Sequence, residues 1–362
     1  MIILISISAM VSIIVLFLST IGCIFECTAL CHWPARIGWG GLIFAMLTIC
    51  GKTTERTLKE IVPAILERLS LFITTSKSTT RTVISSGQKR ILQNFINIGI
   101  VIISVFITYS GLSEGLGPPQ VKEGEIKIKG LNPDLEGFRI VQISDLHISP
   151  STGHNWVEQL VDQINILSPD IIALTGDIVD GDYSQIHKDM APLVKLNSKY
   201  GVFVVTGNHD NMGGVGSWMK GMENLGFIVL QNEHRLISHE HGVILFGGVA
   251  DFSAPSQSGH ESSPRKAMGL NSKADVKILL AHQPESIYEA AQAGFGLQLS
   301  GHTHGGLLSP VRWLASLAQP FQSGLYTYEN TKIYVSNGTG YWGIPFRLGT
   351  PLEISLLKLT SG

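Results

Sequence analysis

Two histidines one residue apart, His302 and His304, stand among glycines in Gly301-His302-Thr303-His304-Gly305-Gly306, directly after the apolar run 295–299. If that run is a strand, its side chains alternate with period 2, so both imidazoles leave its end on one side. Imidazole is the commonest metal-ligating side chain. Glycines on either side let the backbone turn tightly and let a substrate come close. Four other apolar runs end in the same manner. The run 138–143 leads into Ser144-Asp145-Leu146-His147, and 171–174 into Thr175-Gly176-Asp177-Ile178-Val179-Asp180. The run 202–205 leads into Thr206-Gly207-Asn208-His209-Asp210, and 277–280 into Ala281-His282. A polar residue that stops a strand adds little to packing. It is well placed to build a site, because ligands of α/β sheets bind at the carboxyl ends of strands.

Asp145, His147, Asp177, Asn208, His282, His302 and His304 make a mixed carboxylate, imidazole and amide set. That set suits Mn, Fe or Zn better than Ca, which takes oxygen ligands alone. It is too large for one ion and suits two that share a carboxylate. Two ions about 3.5–4 Å apart can clamp a phosphate and turn bound water into hydroxide near neutral pH. Each motif alone says little: Asp-x-His after a strand is commonly a turn, and a lone His282 is commonly a satisfied core histidine. Five motifs in register with five strand ends carry the metal-site reading.

The elements that must position these residues alternate. Strands are expected at 126–128, 138–143, 171–174, 202–205, 227–230, 243–246, 277–280, 295–299, 332–335 and 352–357. Helices are expected at 155–166, 184–196, 217–225 and 285–293. Strand–helix alternation indicates an α/β domain with parallel pairing. No repeat or low-complexity tract is visible.

The first 112 residues read differently. The mean hydropathy of the chain, +0.24, is high for a protein with 15% charged residues, and the excess apolarity lies there. All 4 cysteines (Cys23, Cys27, Cys31 and Cys50) lie there too, and only His32 of the 12 histidines. The rest therefore has neither disulfides nor a thiolate metal site. Residues 3–24 carry no charge and are long enough for a membrane span, which needs about 20 apolar residues. A secretory signal is the rival reading, but the stretch lacks a basic start and exceeds a signal core of about 7–15 residues. Further spans are expected at 37–51, flanked by Trp33 and Trp39, and at 91–110. The loop 52–90 between them is basic, and the positive-inside rule puts it in the cytoplasm. Its stretch 61–73 is read as an interfacial helix. Everything past Tyr109 then lies outside the cytoplasm, on a multi-pass protein of the cell (inner) membrane with a periplasmic or extracytoplasmic catalytic domain. A Gly/Pro linker, 113–124, separates this α-helical transmembrane region from the domain 125–362. The net charge of −2 gives no sign of nucleic-acid binding.

The order Asp-x-His, Gly-Asp-x-x-Asp, Gly-Asn-His-Asp, His, Gly-His-x-His resembles the calcineurin-like metallophosphoesterase superfamily, from about residue 125 to 359. The tract at 278–285 and the later stretches 297–306 and 334–349 resemble its membrane-anchored bacterial branch. The resemblance implies a four-layer α/β/β/α sandwich of two sheets. It also implies two divalent metal ions, Mn being the first expectation and Fe or Zn the alternatives. Asp145, His147, Asp177 and His304 would hold one ion, and Asp177, Asn208, His282 and His302 the other, with Asp177 bridging. A metal-bridging hydroxide would attack the phosphorus of a phosphomonoester or phosphodiester. His209 would assist the leaving group, Asp210 would orient His209, and Asp180 would support the loop around Asp177 from behind.

Substrate-binding residues are not defined by motif. The loop 211–220 could cap a ligand with Trp218 or pack that ring beneath the next helix. The segment 307–321, with Trp313, Leu314, Leu317 and Phe321, could meet lipid or pack on the domain. The segment 337–343, near Arg347, could line the same face. A phosphoester drawn from lipid or envelope material fits a tethered enzyme. The alternatives are a cytoplasm-facing pyrophosphatase or phosphodiesterase acting on a nucleotide-linked lipid precursor, and a metal-binding membrane sensor without turnover.

Overall fold

The computed structural model describes residues 86–181, 183–212, 215–252, 261–270, 273–306 and 319–362. The expected spans 3–24 and 37–51 and nearly all of the basic loop lie outside the described residues, as does most of 307–321. The chain divides into Met1–Tyr109 and Ser110–Gly362. Helix α1 (Ser86–Leu116) covers the third expected span. Among the described residues no helix is long and apolar enough to cross a membrane. Gln93, Asn94 and Asn97 interrupt the run near its start, so its amide-free stretch begins only at Ile98. The helix still bares Phe95, 69% exposed, and Phe106, 68% exposed.

The segment expected as a linker, 113–124, is mostly ordered secondary structure. α1 continues to Leu116, and β1 (Gln120–Ile128) begins four residues later. β1 runs parallel to β12 (Glu353–Ser361) from Gln120↔Glu353 to Ile128↔Ser361. A nine-residue ladder satisfies backbone groups that composition alone reads as open chain. The expected helix 184–196 also divides. α3 (Tyr183–Met190) gives way to a 3-10 turn over Ala191–Lys195, because Pro192 supplies no N–H to an α-helical ladder.

Two six-stranded sheets form the domain. The first orders as β1-β12-β2-β3-β4-β5, with β2 (Arg139–Ile143), β3 (Ile171–Thr175), β4 (Val202–Val205) and β5 (Ile228–Val229). The second orders as β10-β11-β9-β8-β7-β6, with β6 (Glu233–His239), β7 (Gly242–Gly248), β8 (Val276–Leu280), β9 (Leu297–Ser300), β10 (Gly324–Tyr328) and β11 (Thr331–Val335). The central pairs β2–β3–β4 and β7–β8–β9 are parallel, whereas β12–β2, β6–β7 and β10–β11 are antiparallel. Both sheets are therefore mixed, where the alternation alone suggested parallel pairing.

Each central strand is apolar at successive positions because both its faces are covered. Ile140, Ile171, Ala173, Phe203 and Val205 pack with Ile244, Phe246, Ile278, Leu280 and Leu297, which makes a core between the sheets. The alternate residues Val141, Ile143, Ile172 and Leu174 pack outward on Val157, Leu160 and Ile164 of α2 (Gly153–Ile166). On the other side Leu245 and Leu279 meet Ala267 of α6 (Pro264–Met268) and Ala290 of α7 (Ile287–Ala293). Helices thus cover both outer faces. Trp218, in α5 (Val215–Asn224), is 2% exposed and belongs to the outer core, so the packed alternative for that ring holds.

Candidate active site

The carboxyl ends of β2, β3, β4, β8 and β9 deliver the five motifs. Among the described residues nine non-glycine residues have positive φ, and five of them are expected metal ligands: Asp145 (53°), His147 (46°), Asp177 (51°), His302 (70°) and His304 (49°). Asp and His tolerate the left-handed region better than most residues. Such backbone still costs on the order of 1–3 kcal/mol per residue and persists where surrounding structure fixes it. Here hydrogen bonds fix it. His302 N–H donates to both oxygens of Asp145, at 3.1 and 3.0 Å, and His147 N–H to the Asp177 carbonyl at 3.1 Å. Gly340 is pressed so closely on the Leu146 carbonyl that no Cβ fits there.

The candidate ligand atoms gather in two groups. Asp145, His147 and His304 offer atoms within 4.8 Å of one another, and so do Asp177, His282 and His302. His147 Nε2 lies 3.9 Å from Asp177 Oδ2, so Asp177 stands between the groups. His282 Nδ1 lies 2.8 Å from the Thr175 carbonyl and must donate to it, so its Nε2 faces Asp177 Oδ2 at 3.2 Å without hydrogen-bond geometry. Burial opposes charge on that ring, but Asp177 and Asp145 outweigh it and push its pKa up to about 10. The site is built to hold positive charge there. The Asn208 side-chain oxygen is buried with no hydrogen-bond partner, as expected of an atom meant for a cation. These features fit divalent metal ions.

His304 fits least freely. Arg347 Nη2 lies 2.8 Å from its Nδ1, and a guanidinium only donates, so that nitrogen accepts. Burial and the Arg347 charge hold the ring's pKa well below its usual value. The neutral ring then carries its proton on Nε2, 3.2 Å from His147 Nε2. That nitrogen could hold a cation only without this proton. Arg347 also donates to the carbonyls of His304, Asn337 and Gly340 at 2.7, 2.9 and 2.7 Å, and is 0% exposed. Sequence reading left it as a residue near the lining. It is instead a buried brace of the His304 turn. Arg347→Met strands three buried carbonyls at a penalty of about 1–3 kcal/mol each. A thermal melt should show it among the most destabilising single changes in the domain.

His209 is oriented by Asp180 and not, as expected, by Asp210. Asp180 Oδ1 accepts from His147 Nδ1 at 3.0 Å and lies 2.8 Å from His209 Nδ1. Burial acts to raise the Asp180 pKa, but these two hydrogen bonds outweigh it and hold it at about 2. One carboxylate thus sets the tautomers of both rings. Burial likewise opposes charge on His209, yet Asp180 and Asp177 raise its pKa above the ordinary value. The grouping of His209 with His147 and Asp177 could suggest a ligand. Its bond to Asp180 and its stacking edge-on to His147, at 4.8 Å, suit a proton-transfer role better.

Asp210 ties the loops together. Its oxygens accept the backbone N–H groups of Ile178 at 3.0 Å, Val179 at 3.2 Å and Gly207 at 2.8 Å. Burial and the nearby Asp177 raise its pKa to about 7. The chain neighbour of His209 points at backbone because α4 (Asn208–Met212) turns the two side chains apart. Asp210→Ala should lower the melting temperature by the equivalent of about 3 kcal/mol, the sum expected for orphaned buried donors. Asp180→Asn should leave the melt nearly unchanged and lower kcat.

Asp251 escaped sequence reading. It follows β7 as the other motifs follow their strands, is buried, and accepts Gln283 Nε2 at 3.2 Å. Its charge acts on both His282 and His302. A carboxylate just past a sixth strand end was the available signal.

Comparison with known proteins agrees with this geometry. Residues 138–306 match the family model described as calcineurin-like phosphoesterase. A transmembrane protein with metallophosphoesterase domain from Danio rerio is 33% identical over 81% of this chain and 68% of its own length. A Helicobacter pylori protein named as an uncharacterized metallophosphoesterase is 33% identical over 75% of this chain and 72% of its own. The solved NAD nucleotidase of Haemophilus influenzae shares 15% identity at a TM-score of 0.38, over 56% of this chain and 45% of that one. The chain therefore spans less than half the length of that nucleotidase. Relatives include both animal transmembrane proteins and bacterial proteins, so the resemblance does not single out a bacterial branch. The chain belongs to the calcineurin-like metallophosphoesterase superfamily and is a metal-dependent phosphoesterase.

Proposed function

We propose that the protein is a membrane-anchored phosphoesterase with a dinuclear site. Asp145, His147, Asp177 and His304 hold one divalent ion, and Asp177, Asn208, His282 and His302 the other. The observation that carries this is the pair of ligand groups with Asp177 between them. When bound, two such ions polarise phosphoryl oxygens and supply a nucleophile from water near neutral pH. Mn suits the mixed donor set, with Fe or Zn as alternatives.

The chain's own residues do the rest. Asp180 fixes the proton of His209 on Nδ1, so the other ring nitrogen serves the leaving oxygen. The raised pKa favours the protonated form of His209, the form that donates. Asp177 holds the His209 backbone N–H through Oδ1 at 2.9 Å, so one carboxylate sets both the metal pair and the acid.

Membrane attachment is supported by the uncharged run 3–24, the exposed apolar side chains of α1 and the transmembrane names of two relatives. The basic loop 52–90 supports a multi-pass arrangement with the domain outside the cytoplasm. Phosphatase and cytoplasm-only reporters fused at Gly362 test this. Fluorescence without phosphatase activity would reverse the topology. For the chemistry, the full chain in detergent should hydrolyse an aryl phosphodiester when Mn is added. Bound Mn with no turnover rejects the phosphoesterase reading.

A further inference from the structure

Trp342 is half exposed, with 50% of its surface open, yet its ring stands 5.5 Å from the His209 ring at 70°. An exposed indole against the proposed acid is costly for packing alone, since large apolar surface gains by burial. Its segment is held firmly. At the start of the loop, Thr339 and Gly340 donate to the carbonyls of Ser144 and Asp145, at 2.7 and 3.0 Å. Arg347 holds the same end through the Gly340 carbonyl at 2.7 Å. The end is locked to the last turns of α1. Arg347 N–H donates to the Gly111 carbonyl at 2.9 Å, Gly349 N–H to Glu114 at 2.7 Å, and Gly115 meets the Pro345 carbonyl too closely for any Cβ. The indole is therefore carried by a loop anchored at both ends, beside the group that serves the leaving oxygen.

We propose that Trp342 is a specificity residue that contacts the leaving group and selects leaving groups carrying an apolar or aromatic moiety next to the phosphoester oxygen. This rests on the phosphoesterase reading above, because His209 marks the leaving-group side. An aromatic face on a loop anchored at both ends loses less entropy on contact than one on a free loop, and its two side-chain torsions add little more. α1 acts through it: Gly115→Val pushes the loop away and should weaken the same selectivity, which makes Gly115 a positioning residue.

The test uses the Mn-loaded full chain in detergent and calorimetric affinity for phenylphosphonate against methylphosphonate, whose substituents stand where the leaving group stands. Wild type should prefer the phenyl compound about tenfold, the ratio that about 1.4 kcal/mol gives. Trp342→Ala should erase the preference by weakening phenylphosphonate alone, and Trp342→Phe should keep it within about threefold. Equal weakening of both ligands, or no change in either, overturns the proposal and leaves Trp342 as packing for His209. Binding preference is read without turnover. A protein that discriminates the phosphonates but hydrolyses nothing rejects the phosphoesterase reading alone; one that hydrolyses without discriminating rejects this inference alone.

Discussion

Asp177→Asn should abolish turnover, by at least about 10³-fold, the equivalent of about 4 kcal/mol in the barrier. The loss should come with loss of bound metal, in a protein that a melt shows is still folded, though less stable without its metal. The substitution keeps the shape and one acceptor oxygen, so the bond from His209 N–H to Oδ1 survives. The other position becomes an amide that donates toward His282 Nε2, the atom 3.2 Å from Oδ2. A donor then stands where positive charge is favoured, and the shared carboxylate charge is gone. Metal content by mass spectrometry and kcat under saturating Mn check both halves. An Asp177→Asn protein that keeps its metal and its rate has its site elsewhere.

His209→Ala should behave oppositely. Metal content stays, because His209 is bonded to Asp180 and is not needed to complete either ligand group. kcat falls by about 10²–10⁴-fold for an alkyl ester, the range of general acid catalysis. The fall should be much smaller for a p-nitrophenyl ester, whose leaving oxygen departs without a proton. Equal losses on both esters would place His209 in binding or in shaping the site. Asp180→Asn should show the same leaving-group dependence, more weakly, since Asp180 acts through the ring.

The grouping of the candidate site was legible in the sequence because each expected ligand lies just past the end of its strand. A strand end fixes where a short motif goes, and five strand ends of two packed sheets meet at one place. Orientation was less legible. Asp210 adjoins His209 in the chain, but α4 sends it to three backbone donors, while Asp180, from a different strand end, reaches the ring. Arg347 lies 43 residues from His304, a pairing no local pattern encodes. The fold shows the same division. Buried parallel strands appear as apolar runs, whereas β6 and β10 at the sheet edge are half polar and went unread. The end of β1 was read as a strand at 126–128, but its exposed first part, 120–124, was read as linker, because its order comes from pairing with β12 at the far end of the chain.

The central claim is that Asp177 joins two cation sites, one served by His304 and the other by His302. Equilibrium Mn binding to the full chain, to His302→Ala and to His304→Ala, followed by electron paramagnetic resonance and metal analysis, tests it most directly. Two ions should bind per wild-type chain with spin coupling between them. Each variant should retain about one, uncoupled, with the surviving site differing between the two. A wild type that saturates at a single ion, or variants that both lose all metal alike, would contradict it.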